Sequence, residues 1–170
     1  GNNLFLTIDL DLQKTAEEAY QDKNGALIAM DPKTGRILAM VSKPSFEPDI
    51  FARNILQEEW KSLVENPHHP LQNKGIQGQY PAGSVFKIIT AIAGLESGMI
   101  TPSTQFNCTG AFHYGNRDFR CWKEGGHGAI SLHRAIVESC DVYFYQVGLK
   151  VGVDLIAHYA NEFGLGRVTG

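Results

Sequence analysis

Apolar residues fall along the chain in short blocks, and their spacing changes from one block to the next. Leu4-Phe5-Leu6-Thr7-Ile8 is a brief apolar run and predicts a strand. Asp9 stands where a helix cap belongs, ahead of a pattern over Leu12 to Tyr20 that places Leu12, Ala16, Ala19 and Tyr20 at apolar or small positions. Next come two almost wholly apolar arms, Ala26 to Met30 and Arg36 to Val41, joined by Asp31-Pro32-Lys33-Thr34-Gly35. That is a hairpin. Arms without polar alternation imply burial on both faces, so the hairpin is expected inside a covered sheet rather than at a wet edge.

Pro44 to Pro48 interrupts the pattern, and 51–70 reads as a polar, partly helical excursion anchored by Trp60 and Leu63, of the kind that packs around the rim of a site. A loop from Leu71 leads into Tyr80-Pro81-Ala82-Gly83-Ser84-Val85-Phe86-Lys87, and the apolar run Ile88 to Leu95 continues it as a helix that ends at Gly98. From Thr101 to Gly128 the chain is rich in Gly, Asn, Arg and aromatics, with little regular pattern. Helical patterns return over Leu132 to Glu138, Asp141 to about Leu149, and Asp154 to Phe163, the last stopped by Gly164.

With 170 residues and 43% hydrophobic content, the chain can bury one substantial core. A net charge of −3 without a basic run gives no reason to expect nucleic acid as a partner. No apolar stretch approaches the roughly 20 residues of a membrane span, and Gly1-Asn2-Asn3 carries no signal-peptide pattern.

The chemistry concentrates first at Ser84. A helix beginning there puts Lys87 one turn away on the same face. A serine whose proton is taken by a lysine amine is a known route to acyl-enzyme chemistry, and the unpaired N–H groups of a helix start suit a developing oxyanion. The alternative is an N-cap serine followed by a surface lysine. Lys87 lies among Val85, Phe86, Ile88 and Ile89, which argues against a merely solvated charge.

Three stretches together resemble the penicillin-binding transpeptidases: the serine turn, the opening Leu6-Thr7-Ile8-Asp9 through Leu12-Gln13, and the hairpin from Asp31 to Met40. Gly126-His127-Gly128, with Glu138-Ser139-Cys140-Asp141 and Phe144-Tyr145-Gln146, is most similar to the class B, penicillin-binding protein 2 type of cell elongation. The resemblance implies an α/β (α+β) penicillin-recognising serine-hydrolase fold, an antiparallel sheet flanked by helices. It implies a peptidoglycan D,D-transpeptidase that cross-links stem peptides through a Ser84 acyl-enzyme and is acylated by β-lactams.

Of that family's three motifs, S-x-x-K maps onto Ser84 and Lys87, and S-x-N onto Ser139-Cys140-Asp141 with Asp in place of Asn. In the family the second serine carries a proton to the leaving amine, and the third residue hydrogen-bonds substrate or lysine. The third motif, K-T-G, is spelled by Lys33-Thr34-Gly35, but it lies about fifty residues before Ser84, whereas the family's K-T-G comes well after the second motif, and it makes good turn chemistry, so it is assigned to the hairpin turn. The family's K-T-G strand is then expected outside this chain, which reads as a fragment inactive alone. A serine β-lactamase and a non-catalytic β-lactam sensor stand as alternatives. The family further implies the periplasmic face of the bacterial inner membrane, an N-terminal anchor outside this chain, and partnership with a membrane glycosyltransferase and elongation-complex proteins.

All three cysteines fall in the spacing Cys108-x12-Cys121-x5-His127-x12-Cys140. Four good zinc ligands in a Gly-rich segment match a Cys3His structural Zn2+ site, which would order a loop that burial cannot. Two other readings stay open: a Cys108–Cys121 disulfide, in keeping with an extracytoplasmic enzyme, and free thiols. His113 is an alternate ligand. Trp122, Phe112 and Tyr114 line the cleft or pack locally.

Overall fold

The computed structural model describes residues 2–168, which form two compact units divided between Tyr80 and Pro81. In the first, helix α1 (Leu10–Tyr20) begins at Asp9, whose side chain accepts from the Leu12 N–H at 2.9 Å. The hairpin forms as β1 (Gly25–Met30) and β2 (Ile37–Lys43), paired antiparallel. Ala16 of α1 packs on Ala39 and Val41 of β2, with Tyr20, Leu27 and Ala29 around them.

Gln13 completes that docking. Its amide accepts from the Met40 N–H (2.8 Å) and donates to the Met40 carbonyl (3.0 Å), so a side chain takes the part of a neighbouring strand. This use of β2's second edge explains why Leu4 to Ile8 is not a strand. Only the Asp9 N–H, to the Leu38 carbonyl, and the Thr7 hydroxyl, to the Ile37 carbonyl, reach β2, and Leu4, Phe5 and Leu6 are exposed. Nor is the hairpin covered on both faces among the described residues: Ile28 and Met30 are exposed, because α1 and the short α3 (Lys74–Gln77) reach only part of a two-stranded sheet.

Asp31-Pro32-Lys33-Thr34-Gly35 is the turn. Asp31 accepts from the Lys33 N–H (2.9 Å) and the Thr34 hydroxyl (2.6 Å), and Gly35 takes φ 73°. Beyond it, a 3-10 turn (Pro48–Ala52) and α2 (Gln57–Val64) form the polar excursion, in which Trp60 is exposed.

The second unit is built on α4 (Lys87–Glu96), preceded by a 3-10 turn over Gly83–Phe86. Two two-stranded antiparallel sheets occupy the stretch that lacked periodicity. β3 (Gln105–Cys108) pairs with β6 (Gly128–Ser131), and β4 (Ala111–Tyr114) pairs with β5 (Arg117–Arg120). Strands of four residues are too short to show a period of two against so many turn residues. Helices α5 (Leu132–Val137), α6 (Asp141–Val151) and α7 (Val153–Glu162) follow, as the sequence pattern indicates.

The core of this unit joins Ala91 and Ala93 of α4, Ile130 of β6, and Val142, Tyr143 and Val147 of α6. Tyr143 is fully enclosed and gives its hydroxyl to the Thr104 carbonyl at 3.1 Å. Gly94 permits the close approach of α4 to its neighbours: a Cβ there would lie 2.9 Å from Ile100 Cδ1 and Cγ1 and 3.2 Å from Val147 Cγ1. Replacing Gly94 by Ala gains about 1 kcal/mol of helix propensity but overpacks at a cost of about 1–3 kcal/mol. Gly94→Ala is therefore expected to lower the urea midpoint of unfolding; a raised midpoint would mean the core yields freely.

Candidate active site and cysteine–histidine cluster

Ser84 lies in the exposed 3-10 turn, and Lys87 opens α4 with its side chain 15% exposed. The turn between α5 and α6 brings the second motif to them. There the Cys140 N–H returns to the Ala135 carbonyl (2.9 Å) and the Ser139 N–H to the Ile136 carbonyl (3.1 Å), a Schellman closure of α5. The position such a closure usually gives to glycine is Ser139, at φ 51°. A non-glycine residue in that region costs of order 1–3 kcal/mol and is held only by its surroundings. The strained backbone aims the Ser139 hydroxyl at the start of α4.

The polar groups form one connected chain. Lys87 Nζ donates to Ser139 Oγ at 3.0 Å, to the Ser139 carbonyl at 2.9 Å and to Asp141 Oδ1 at 2.6 Å. Ser139 Oγ in turn donates to Ser84 Oγ at 3.0 Å. All three ammonium protons thus have acceptors, and Nζ also stands 5.8 Å from the centroid of the Phe144 ring, within cation–π range. The amine does not meet Ser84 directly; Ser139 bridges them. That bridge is invisible in sequence, where Ser84 and Lys87 simply share a helix face. Asp141 is also fixed from outside, since its Oδ2 accepts from the Trp122 N–H at 3.1 Å.

Cys108, Cys121, His127 and Cys140 come together, all buried, with their ligand atoms within 4.8 Å of one another. Strand pairing does most of this. Cys108 closes β3 opposite Gly128, which follows His127; the β4–β5 hairpin returns the chain so that the Cys121 N–H bonds the Gly110 carbonyl at 2.8 Å; Cys140 precedes α6. The loop is drawn in tightly enough to exclude side chains at two glycines. A Cβ on Gly110 would lie 1.9 Å from the Glu124 carbonyl oxygen, and one on Gly126 2.1 Å from that of Cys108.

The three cysteines are free, with no disulfide between Cys108 and Cys121. His127 Nδ1 faces the sulfurs, 3.5 Å from Cys108 Sγ and 3.6 Å from Cys121 Sγ. Burial, with the neighbouring cysteines, pushes the Cys140 thiol up to about 12. At Cys121 burial acts in the same sense, but N–H groups of Lys123, Asp141 and Val142 outweigh it and hold that thiol below its ordinary value. His113 lies away from the cluster in an exposed pair with Asp118. Phe112 and Tyr114 line an apolar recess of about 300 Å³ with Phe119, Phe144 and Tyr145, and Trp122 is exposed with its ring edge-on to His127.

Residues 25–170 match the model of the penicillin binding protein transpeptidase domain. The peptidoglycan D,D-transpeptidase MrdA of Acinetobacter baumannii is 41% identical over the whole of this chain, which spans 26% of that protein. Among solved structures, the complex between penicillin-binding protein 2 (PBP2) and MreC from Helicobacter pylori superposes with a TM-score of 0.91 at 36% identity, over 96% of this chain and 31% of that one. A ceftriaxone acyl-enzyme of penicillin-binding protein A from Mycobacterium tuberculosis does so with a TM-score of 0.91 at 32% identity, over 98% of this chain and 40% of that one. The fold is thus the penicillin-recognising one, and the chain belongs to the penicillin-binding protein transpeptidase domain family.

Proposed function

We propose that the protein of which this chain forms part is a serine-type peptidoglycan D,D-transpeptidase of cell elongation. The observation that carries this reading is the hydrogen-bonded chain Ser84–Ser139–Lys87–Asp141 at the mouth of α4. Ser84 Oγ attacks the carbonyl carbon of the penultimate D-alanine of a stem peptide; its proton passes to the Ser139 oxygen as Ser139 gives its own to Lys87, which acts as the base in its neutral amine form. The C–N bond to the terminal D-alanine breaks, and the departing amine takes a proton delivered through Ser139. An amine of a neighbouring stem peptide then attacks the ester carbonyl, forms the cross-link and returns the Ser84 hydroxyl.

Backbone N–H groups at the start of the helix steady the oxyanion, a contribution of about 3–4 kcal/mol per donor in comparable enzymes. Asp141 holds Lys87 against Ser139 and so sets the geometry of proton exchange. A β-lactam enters the same first step, its ring opening on Ser84. The acyl-enzyme of the mycobacterial relative supports that part of the reading.

The setting proposed is the periplasmic face of the inner membrane, with an elongation-complex protein as partner; the PBP2–MreC complex of the Helicobacter relative supports the latter. Among the described residues no helix is long and apolar enough to cross a membrane.

We further propose that Cys108, Cys121, His127 and Cys140 hold a structural Zn2+. The fit rests on two features. Tetrahedral zinc with Zn–S of about 2.3 Å and Zn–N of about 2.0–2.1 Å sets sulfur and nitrogen about 3.5–3.6 Å apart. The 3.5 and 3.6 Å separations from His127 Nδ1 meet that spacing. The donor set is also all sulfur and imidazole, with every ligand buried, the character of a closed structural site. Zinc, when bound, would supply cross-linking of the loop and no chemistry. These residues would hold Trp122 and Cys140 in place, and with them Asp141 and Ser139.

Acylation by a fluorescent penicillin tests the enzymatic reading on the full-length protein. Ser84→Ala is expected to abolish labelling, and Lys87→Ala to slow it by about 10²–10⁴-fold, the usual contribution of a proton-transfer group. Persistent labelling of Ser84→Ala would remove the assignment. Elemental analysis of protein purified without added zinc should give one zinc per chain, and mass spectrometry after denaturation and alkylation three free thiols. A metal-free protein carrying a disulfide would overturn the zinc reading.

A further inference from the structure

His127 is the one member of the cluster with two ends to satisfy. Its side chain is 0% exposed; Nδ1 looks at the sulfurs, and Nε2 points away with no hydrogen bond of good geometry. A buried imidazole nitrogen needs a partner, and the nearest candidate is Glu138 Oε2 at 3.5 Å. Glu138 is not loose in that position. Arg134, one helical turn earlier on α5, donates from Nε to Oε1, leaving Oε2 toward the histidine. The Glu138 main chain is tied to the same loop, because its carbonyl accepts from Trp122 Nε1 at 2.9 Å. The Trp122 ring meets His127 edge-on, with centroids 5.4 Å apart. The imidazole is therefore bounded by sulfur on one side, indole on a second and an anchored carboxylate on a third.

We propose that Glu138 is a positioning residue for the metal site, accepting from His127 Nε2–H and thereby keeping the Nδ1 lone pair directed at the ion. The inference rests on the zinc reading above. It assigns the proton of the ring to Nε2, the tautomer that makes Nδ1 a ligand, and it makes Arg134 the residue that holds the carboxylate in place. Partners of this kind set both ring orientation and ligand basicity, and their loss typically weakens metal binding about 10–100-fold. Glu138 lies one residue before Ser139, so the carboxylate that orients the metal ligand sits on the turn that presents the catalytic hydroxyl.

The test is zinc affinity by chelator competition on the full-length protein, with long-range 1H–15N NMR of the His127 ring. Glu138→Ala is expected to weaken zinc binding 10–100-fold and to give mixed tautomers in the metal-free protein. Glu138→Gln, which keeps an acceptor oxygen, should lose less. Arg134→Ala should shift affinity in the same direction by a smaller factor. If Glu138→Ala does not fold, Glu138→Gln and Arg134→Ala decide the matter on the same two readouts. Unchanged affinity and an unchanged tautomer in the variants would overturn the role of Glu138 and leave the zinc reading standing. Failure of the wild-type protein to bind zinc would overturn both.

Discussion

The second unit turns on one ammonium group. Lys87 Nζ is mostly withdrawn from water, and its three protons go to Ser139 Oγ, the Ser139 carbonyl and Asp141 Oδ1. A buried cation is tolerated only when its hydrogen bonds and counter-charge are supplied locally. Supplying them ties two segments more than fifty residues apart in sequence to a single geometry. The left-handed backbone at Ser139 and the apolar packing of α4 on α6 hold that geometry in place. The reach of the active-site network beyond the serine and lysine that announce it follows from the same requirement.

The cysteine–histidine cluster extends the same constraint outward. Asp141 has two carboxylate oxygens: one receives Lys87, the other the backbone of Trp122, next to Cys121. Cys140 stands between Ser139 and Asp141 with its sulfur in the cluster. The short strands β3 to β6 have too little apolar surface to fix the loop by burial alone, and β5 is exposed throughout. Order in that region comes from close backbone packing at Gly110 and Gly126 and from the gathered sulfur and imidazole groups.

In the first unit the order is more conventional. α1 is docked by Ala16 and by the Gln13 amide, and the Lys43–Glu17 pair at 2.7 Å lies at the margin. The turn Asp31 to Gly35 shows why three letters do not make a site. Its lysine and threonine are organised by Asp31, through hydrogen bonds that a tight turn needs in any protein.

From the sequence alone came the longer helices α1, α4, α6 and α7, because apolar spacing over ten residues is a strong periodic signal and Asp9, Gly98 and Gly164 mark its ends. So did the hairpin, the Ser84–Lys87 spacing and the grouping of three cysteines with His127. By contrast, α3 formed in a stretch read as loop, and α4 begins at Lys87, after a 3-10 turn, rather than at Ser84. The sequence overstated Leu4 to Ile8 and the covering of the hairpin, since an apolar run does not say which edge or face is already taken. Only the tertiary structure decided that Ser139 stands between Ser84 and Lys87, that Asp141 binds Lys87 with one oxygen and Trp122 with the other, and that Glu138 faces the buried nitrogen of His127. Each of these depends on distances of a few ångströms between segments remote in the chain. Such distances are set by packing and strand register, and local residue preferences carry no record of them.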